Sequence, residues 1–167
     1  MLTIHPASPH EYTAIGLLTA DAYAPVLTFG AADPYRQVLQ DAAGRAADAE
    51  LWAASEDERL LGTVTVCRPG TPYAEIAVAG ELEVRMLAVS PDAQGLGIGA
   101  TLMSAVHDLA LREAFDAVVL SVVETNKPAA AFYRGLGYTR SPDRDWQPVP
   151  NITLQVWRRA VEADENP

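Results

Sequence analysis

A single cysteine, Cys67, cannot form an internal disulfide, so no disulfide framework holds this chain together. Cys67 sits in an apolar, strand-like run and reads as a small core residue, not a nucleophile. No run of about 18 apolar residues occurs, which excludes a membrane-crossing helix. Basic residues are scarce: 12 Lys and Arg against 22 Asp and Glu leave a net charge of −10. That balance argues against nucleic-acid binding, which needs a basic face. It suits a cationic or amine substrate, although an acidic surface also serves solubility alone. Neither an internal repeat nor a low-complexity tract is present. The stretch "MLTIHPASPHEY" has neither the basic start nor the apolar run of a secretory leader, so a cytoplasmic setting is expected. His5 and His10 have no partners at metal-ligand spacing, and no metal is expected.

What is present suffices for one core: 167 residues, 49% of them hydrophobic. We expect one domain over residues 1–160 and a disordered tail over 161–167, "VEADENP". "LTIHPA" reads as a first strand, and Pro9 to Tyr23 as a helix with Tyr12, Ile15, Leu18 and Ala22 on one face. Asp33 to Glu50 reads as a second helix, N-capped by Asp33 and with Pro34 in its first turn. "ELWAAS" and "RLLGTVTVCR" read as strands joined at "EDE", and residues 69–80 as an irregular loop. "ELEVRMLAVS" alternates cleanly, placing Leu82, Val84, Met86 and Ala88 on one face and Glu81, Glu83, Arg85 and Leu87 on the other. A helix from Gly97 to Glu113 buries Leu102, Val106, Leu109 and Ala110 and leaves His107 facing solvent or at the rim. "AVVLSVV", residues 117–123, is apolar on both faces, as a central strand should be. A short helix in "NKPAAAFYRGLGY", a polar loop in "DRDWQPVP" and a last strand in "NITLQVWRR" follow. This order of elements predicts a mixed α/β fold.

Gly95, Gly97 and Gly99 fall at alternate positions just before an apolar, helix-forming stretch, in "SPDAQGLGIGATLM". Glycine costs backbone entropy, so bare backbone there needs a reason. A helix start offers free N–H groups and a positive dipole end, and glycines let a phosphate approach both. A Walker-type loop would continue Gly-Lys-Ser/Thr, and this chain does not. A dinucleotide turn would use Gly95, Gly97 and Ala100 as G-x-G-x-x-[GA]. That turn follows its strand at once, however, whereas Ser90 to Gln94 intervene here, and the next strand does not end on the required acidic residue. A plain turn with a helix cap is the remaining reading, but three alternating glycines exceed what a turn demands.

The segment "LAVSPDAQGLGIGATLM" resembles the coenzyme A loop of the GNAT acetyltransferase superfamily, whose signature is [Q/R]-x-x-G-x-[G/A] after a strand and a short loop. Gln94, Gly97 and Gly99 fill that signature. The family's following apolar strand, the asparagine near its end, and the tyrosine within Y-x-x-x-G-[FY] are matched by Asn126, Tyr133 and "YRGLGY". The likeness is good from Leu60 to Tyr138, and the order of elements fits elsewhere. It implies a GNAT-like acyl-CoA N-acyltransferase fold: a central twisted, mostly antiparallel sheet flanked by helices, with two strands splayed around the coenzyme. It also implies an N-acetyltransferase that moves the acetyl group of acetyl-CoA to a primary amine by direct attack in a ternary complex. The acceptor would be a small-molecule or peptide amine, and homodimers are common in the family. Two other readings stay open: a non-catalytic acyl-CoA-binding or sensing domain, and a dinucleotide-binding oxidoreductase using NAD.

By the same resemblance, the pyrophosphate lies on backbone N–H groups of Gly95, Leu96, Gly97, Ile98, Gly99 and Ala100, with Gln94 leading the loop. Pantetheine lies along the strand at Leu87, Ala88 and Val89, and an N–H near Leu87 polarises the thioester carbonyl. Glu83 matches the glutamate that many members use as general base, often through a water. The alternative is a strand-surface ion pair between Arg85 and a glutamate. Another branch of the family places its base five residues before the asparagine, where this chain has Ser121, which cannot serve. Tyr133 matches the general acid that protonates the departing thiolate, or else packs under the last strand. Asn126 would hold pantetheine or a water, and also suits a helix N-cap. Tyr73, Glu75, Arg85, Asp145 and Trp146 could meet an amine through aromatic and acidic contacts, or simply pack their loops.

Overall fold

The computed structural model describes residues 1–28, 30 and 32–162. β1 (Thr3–Pro6) leads through a 3-10 turn into α1 (Tyr12–Leu27), then α2 (Pro34–Gln40) and α3 (Ala42–Asp48). β2 (Glu50–Glu56), β3 (Arg59–Cys67) and β4 (Glu81–Val89) precede α4 (Ile98–Arg112), β5 (Ala117–Val123) and α5 (Lys127–Gly135). β6 (Thr139–Arg140), β7 (Trp146–Val149) and β8 (Ile152–Ala160) follow. One sheet holds all eight strands in the order β1-β2-β3-β4-β5-β8-β6, with β7 against β8. Every pairing is antiparallel except that of β4 with β5, whose crossover through α4 returns the chain to the same end of the sheet. This is the mixed, mostly antiparallel sheet expected. Among the described residues no helix is long and apolar enough to cross a membrane.

The sheet has two differently covered faces. α4 and α5 cover one, where Leu102, Val106 and Tyr133 pack with Leu82, Leu120 and Val122. α1, α2 and α3 cover the other, where Ile15 and Ala42 meet Leu51, and Ala20 and Leu39 meet Met86. A Cβ on Gly16 would run into the carbonyl of Gln40, so this bare position lets α2 close onto α1. Fully buried Arg45 ties the same region together, donating to the Val38 and Leu39 carbonyls at the end of α2 and to Thr19 of α1.

Several expectations need correction. The helix expected over Asp33–Glu50 is two helices, because Asp41 leaves helical geometry and accepts a hydrogen bond from Gly44 N, capping a new start. α1 continues past Tyr23 to Leu27 and buries Ile15, Gly16, Thr19 and Ala20. The loop expected around Trp146 contains β7, whose Pro148 is tolerated on an outer strand. Of the two positions expected for His107, the rim is the one observed: it is half-buried with its Nε2 2.8 Å from Tyr138 Oη. Val161, expected in a disordered tail, packs on the core and donates its N–H to Asp116 O. The rest of that expected tail, 163–167, lies outside the described residues.

The most consequential correction concerns β4. Thr63 pairs with Ala88 and Thr65 with Arg85, so Met86 and Leu87 together oppose Val64. Met86 has φ of +53°. This β-bulge adds one residue and reverses the alternation beyond it. Met86 therefore joins the α1–α2 face, while Leu87 and Val89 pack with the α4 cluster.

Candidate functional site

β4 pairs with β5 only from Glu81 to Val84. Beyond that point β4 stays with β3 and β5 stays with β8, and the two strands part. The gap opens into a cleft of about 1050 Å³. Ser90 N donates to Leu61 O at 2.8 Å, so Ser90 and Ala88 occupy the hydrogen-bonded positions opposite β3. Leu87 and Val89 consequently turn their backbone groups toward the gap. Leu87 O accepts from Tyr23 Oη at 3.1 Å, and by the same alternation its N–H points into the cleft. Ala88 keeps its backbone on β3 and lies outside the cleft lining.

The loop before α4 forms one end of the cleft. Gly95 and Gly97 have φ of 80° and 79°, conformations that a side chain disfavours. Gly99 is helical, and a Cβ there would stand 3.2 Å from the Phe132 ring. No described residue accepts a hydrogen bond from the N–H groups of Gly95, Gly97, Ile98, Gly99 or Ala100. Those donors and the helix dipole make an anion seat. Gln94 lines the same end, whereas Leu96 turns its side chain outward at 70% exposure.

α5 supplies a wall. Asn126 caps it, its Oδ1 accepting from Ala129 N at 3.3 Å, and also lines the cleft. Tyr133 packs edge-on against Phe132 and Tyr138. Burial raises its phenol well above the ordinary tyrosine range, so it stays protonated. Among the described residues nothing hydrogen-bonds its hydroxyl, and it lines the cleft. Core packing and access to the cleft coexist in this one side chain.

Glu83 lies on the opposite face of the sheet at 2% exposure. Its Oε1 accepts from Glu75 N at 3.0 Å, Ile76 N at 2.8 Å and Ala77 N at 2.9 Å, and its Oε2 from Glu75 N at 3.1 Å. Burial raises its pKa above the ordinary value, against the pull of those donors and of Arg85. Arg85 donates to Tyr73 O at 3.0 Å and stands 3.4 Å from Glu75, so the arginine–glutamate pair exists with Glu75 as its carboxylate. Glu81 pairs instead with Arg144 and Arg158. Trp146 donates its indole N–H to Ser121 Oγ at 3.2 Å. Asp145 is held by Arg140 at 2.8 and 2.7 Å and by Val156 N at 2.9 Å.

The structure thus gathers Glu75, Glu83, Arg85 and Trp146 around the cleft and leaves Tyr73 and Asp145 outside its lining. It adds residues that sequence reasoning missed: Tyr23 and Leu27 of α1, Asp33, Tyr35 and Leu39 beside or on α2, and Met86 of the bulge. Only the packing of α1 and α2 over the sheet brings them there, and no local motif marks them.

The acetyltransferase (GNAT) family matches residues 18–138 of the chain. Mycothiol acetyltransferase from Thermomonospora curvata is 37% identical over 108 residues, 61% of this chain and 33% of that protein. The protein of the same name from a Nocardioides species is 38% identical over 94 residues, 54% of this chain and 32% of its own length. The chain therefore spans about a third of these curated relatives. A GNAT-family acetyltransferase structure from Staphylococcus aureus has a TM-score of 0.74 at 13% identity, over 97% of this chain and 100% of that one. PaiA N-acetyltransferase from Thermoplasma acidophilum, solved with coenzyme A, has a TM-score of 0.69 at 14% identity, over 93% and 98% of the two chains. These neighbours share the fold, including its open sheet. The family match runs from α1 through the glycine loop and past Tyr133, which sets aside the dinucleotide reading of the glycines. With that match over most of its length and the parted strands at its centre, the chain belongs to the GNAT acetyltransferase family.

Proposed function

We propose that this chain transfers the acetyl group of acetyl-CoA to a primary amine by direct attack in a ternary complex. The observation that carries the proposal is the parting of β4 from β5 beside the unpaired N–H groups of Gly95 to Ala100. The residues fit the cosubstrate. The free donors at the start of α4 suit a diphosphate, and the open backbone groups of Leu87 and Val89 suit the amides of pantetheine. When bound, acetyl-CoA supplies the thioester that the amine attacks.

The side chains supply the proton transfers. An alkylamine has a pKa of about 10 and must lose a proton before it can attack. Three backbone N–H groups occupy Glu83, but a carboxylate offers about four lone-pair sites, and Oε2 retains one. Glu83 takes the amine's proton through a water at that site. The N–C bond forms as the C–S bond breaks, with Leu87 N–H as donor to the thioester oxygen. Tyr133, kept protonated by burial, delivers its proton to the departing sulfur.

Calorimetric titration with acetyl-CoA, alongside NAD and ATP, tests the cosubstrate. An amine panel on wild type, Glu83→Gln and Tyr133→Phe tests the chemistry. Binding of acetyl-CoA alone, with turnover lost in both variants, is the expected result. Acetyl-CoA binding without turnover by wild type would make the chain an acyl-CoA sensor, and no binding by the folded protein would overturn the proposal.

A further inference from the structure

We infer that the acceptor is a small amine carried on an apolar or aromatic body, not an amino sugar or a hydrophilic peptide. This rests on the acetyl-transfer reading and names a substrate class for it. The cleft passes between the two faces of the sheet, and its ends differ. Alternation along β5 puts Ser121 and Val123 on the α1–α2 face, away from Leu120 and Val122 in the α4 cluster. Leu154, opposite Val123 on β8, lies on that face too. The end formed there, remote from the glycine loop, is the chamber left for the acceptor.

Most polar groups of this chamber are already engaged within the protein. Tyr23 Oη donates to Leu87 O, and Trp146 Nε1 donates to Ser121 Oγ. Arg85 is engaged by Tyr73 O and Glu75, and Glu83 by three backbone N–H groups. The hydrocarbon of Leu27, Leu39, Met86, Val123 and Leu154 and the ring of Trp146 make up much of what faces a ligand. Carboxylates stand on the same lining. Glu75 is 40% exposed, and its Oε2 has no partner among the described residues. Asp33 is exposed, capping α2 through Tyr35 N. An ammonium is drawn by these two carboxylates while the body behind it enters an apolar room. Each hydroxyl on that body, held against this apolar lining, loses water without gaining a partner, a penalty of about tenfold in affinity per group.

The test begins with acetyl-CoA binding by calorimetry. It then compares kcat/KM for 2-phenylethylamine, glucosamine and the tripeptide Ser-Gly-Gly. Acetyl-CoA binding, with 2-phenylethylamine preferred over each polar amine by about tenfold or more, is expected. Leu27→Asn, at a half-buried position on α1, is expected to raise KM for 2-phenylethylamine about tenfold while leaving kcat within about twofold. Acetyl-CoA binding with a polar amine equal or preferred, or with none of the three turned over, overturns the inference and leaves the cosubstrate assignment standing. Failure of the folded protein to bind acetyl-CoA overturns the acetyl-transfer reading and this inference together.

Discussion

Replacing Glu83 by glutamine and, separately, by alanine distinguishes proton acceptance from loop anchoring. Glu83 receives the N–H groups of Glu75, Ile76 and Ala77. Glutamine keeps one amide oxygen toward those donors. It loses the charge-assisted part of the bonds, but also the penalty of burying a charge, so its net cost is about 1 kcal/mol. Alanine leaves three donors without an acceptor, at about 1–1.5 kcal/mol each where the loop is only half-buried, for a total of about 4 kcal/mol. For a chain of this size about 2–4 °C of melting temperature accompanies each kcal/mol, so Glu83→Ala melts about 10 °C low and Glu83→Gln about 3 °C low. Neither variant can take a proton, so kcat/KM falls by about 10²–10³ in Glu83→Gln despite its intact loop. The base must be ionised to work. Its raised pKa therefore moves the acid limb of the wild-type pH–rate profile above the ordinary glutamate value of 4.5, and Glu83→Gln loses that limb. Calorimetric melting and steady-state kinetics across pH read both effects. Glu83→Gln at wild-type kcat/KM would refute the base, and Glu83→Ala at the wild-type melting temperature would refute the anchor.

Three further outcomes follow from single features. Tyr133→Phe removes a hydroxyl that bonds nothing among the described residues, so melting should hold within about 1 °C while kcat drops about 10²-fold; an unchanged kcat removes Tyr133 as the acid. Gly97→Ala places a side chain at φ of 79° with no atom within 4 Å of the new Cβ, so its cost is conformational, about 1 kcal/mol. Calorimetry should also show acetyl-CoA binding about tenfold weaker, and an unaltered Kd would count against the anion seat. His107 has its pKa lowered from 6.5 to about 4, chiefly by burial. It is neutral in the fold where the unfolded chain binds a proton, so stability is full above pH 6.5 and is lost as pH falls toward 4. Discounted for partial exposure, that loss is about 2 kcal/mol, and denaturant unfolding of His107→Gln across this range should be flatter than wild type by that amount.

Legibility from sequence followed the range of the interactions involved. The glycine loop, β5 and α4 are written in local spacing, and their observed bounds fall within a residue of those expected. The break at Asp41 was within reach, since an Asp three residues before a glycine is a natural cap, but the apolar pattern ran on across it. The acceptor side was out of reach. Tyr23 meets Leu87 across 64 residues, and Glu83 reaches donors in a loop whose path no periodicity records. Alternation made Glu83 a surface carboxylate, whereas the loop folds over it and buries it.

The bulge in β4 shows how one unsignalled residue can create a site. Leu82, Val84, Met86 and Ala88 alternate without a flaw, and the left-handed position falls on Met86, where no glycine announces it. Its consequence follows from parity. If Thr65↔Arg85 continued in register, Thr63 would stand opposite Leu87, in the same hydrogen-bonded position it now shares with Ala88. Leu87 N–H would then close onto β3, as Ala88 does. The inserted residue shifts that parity by one, turns Leu87 and Val89 toward the gap, and carries Met86 to the acceptor face beside Leu39. Strand separation alone would leave a cleft edged by a satisfied backbone. Separation together with the bulge leaves free donors on the edge where a thioester would lie.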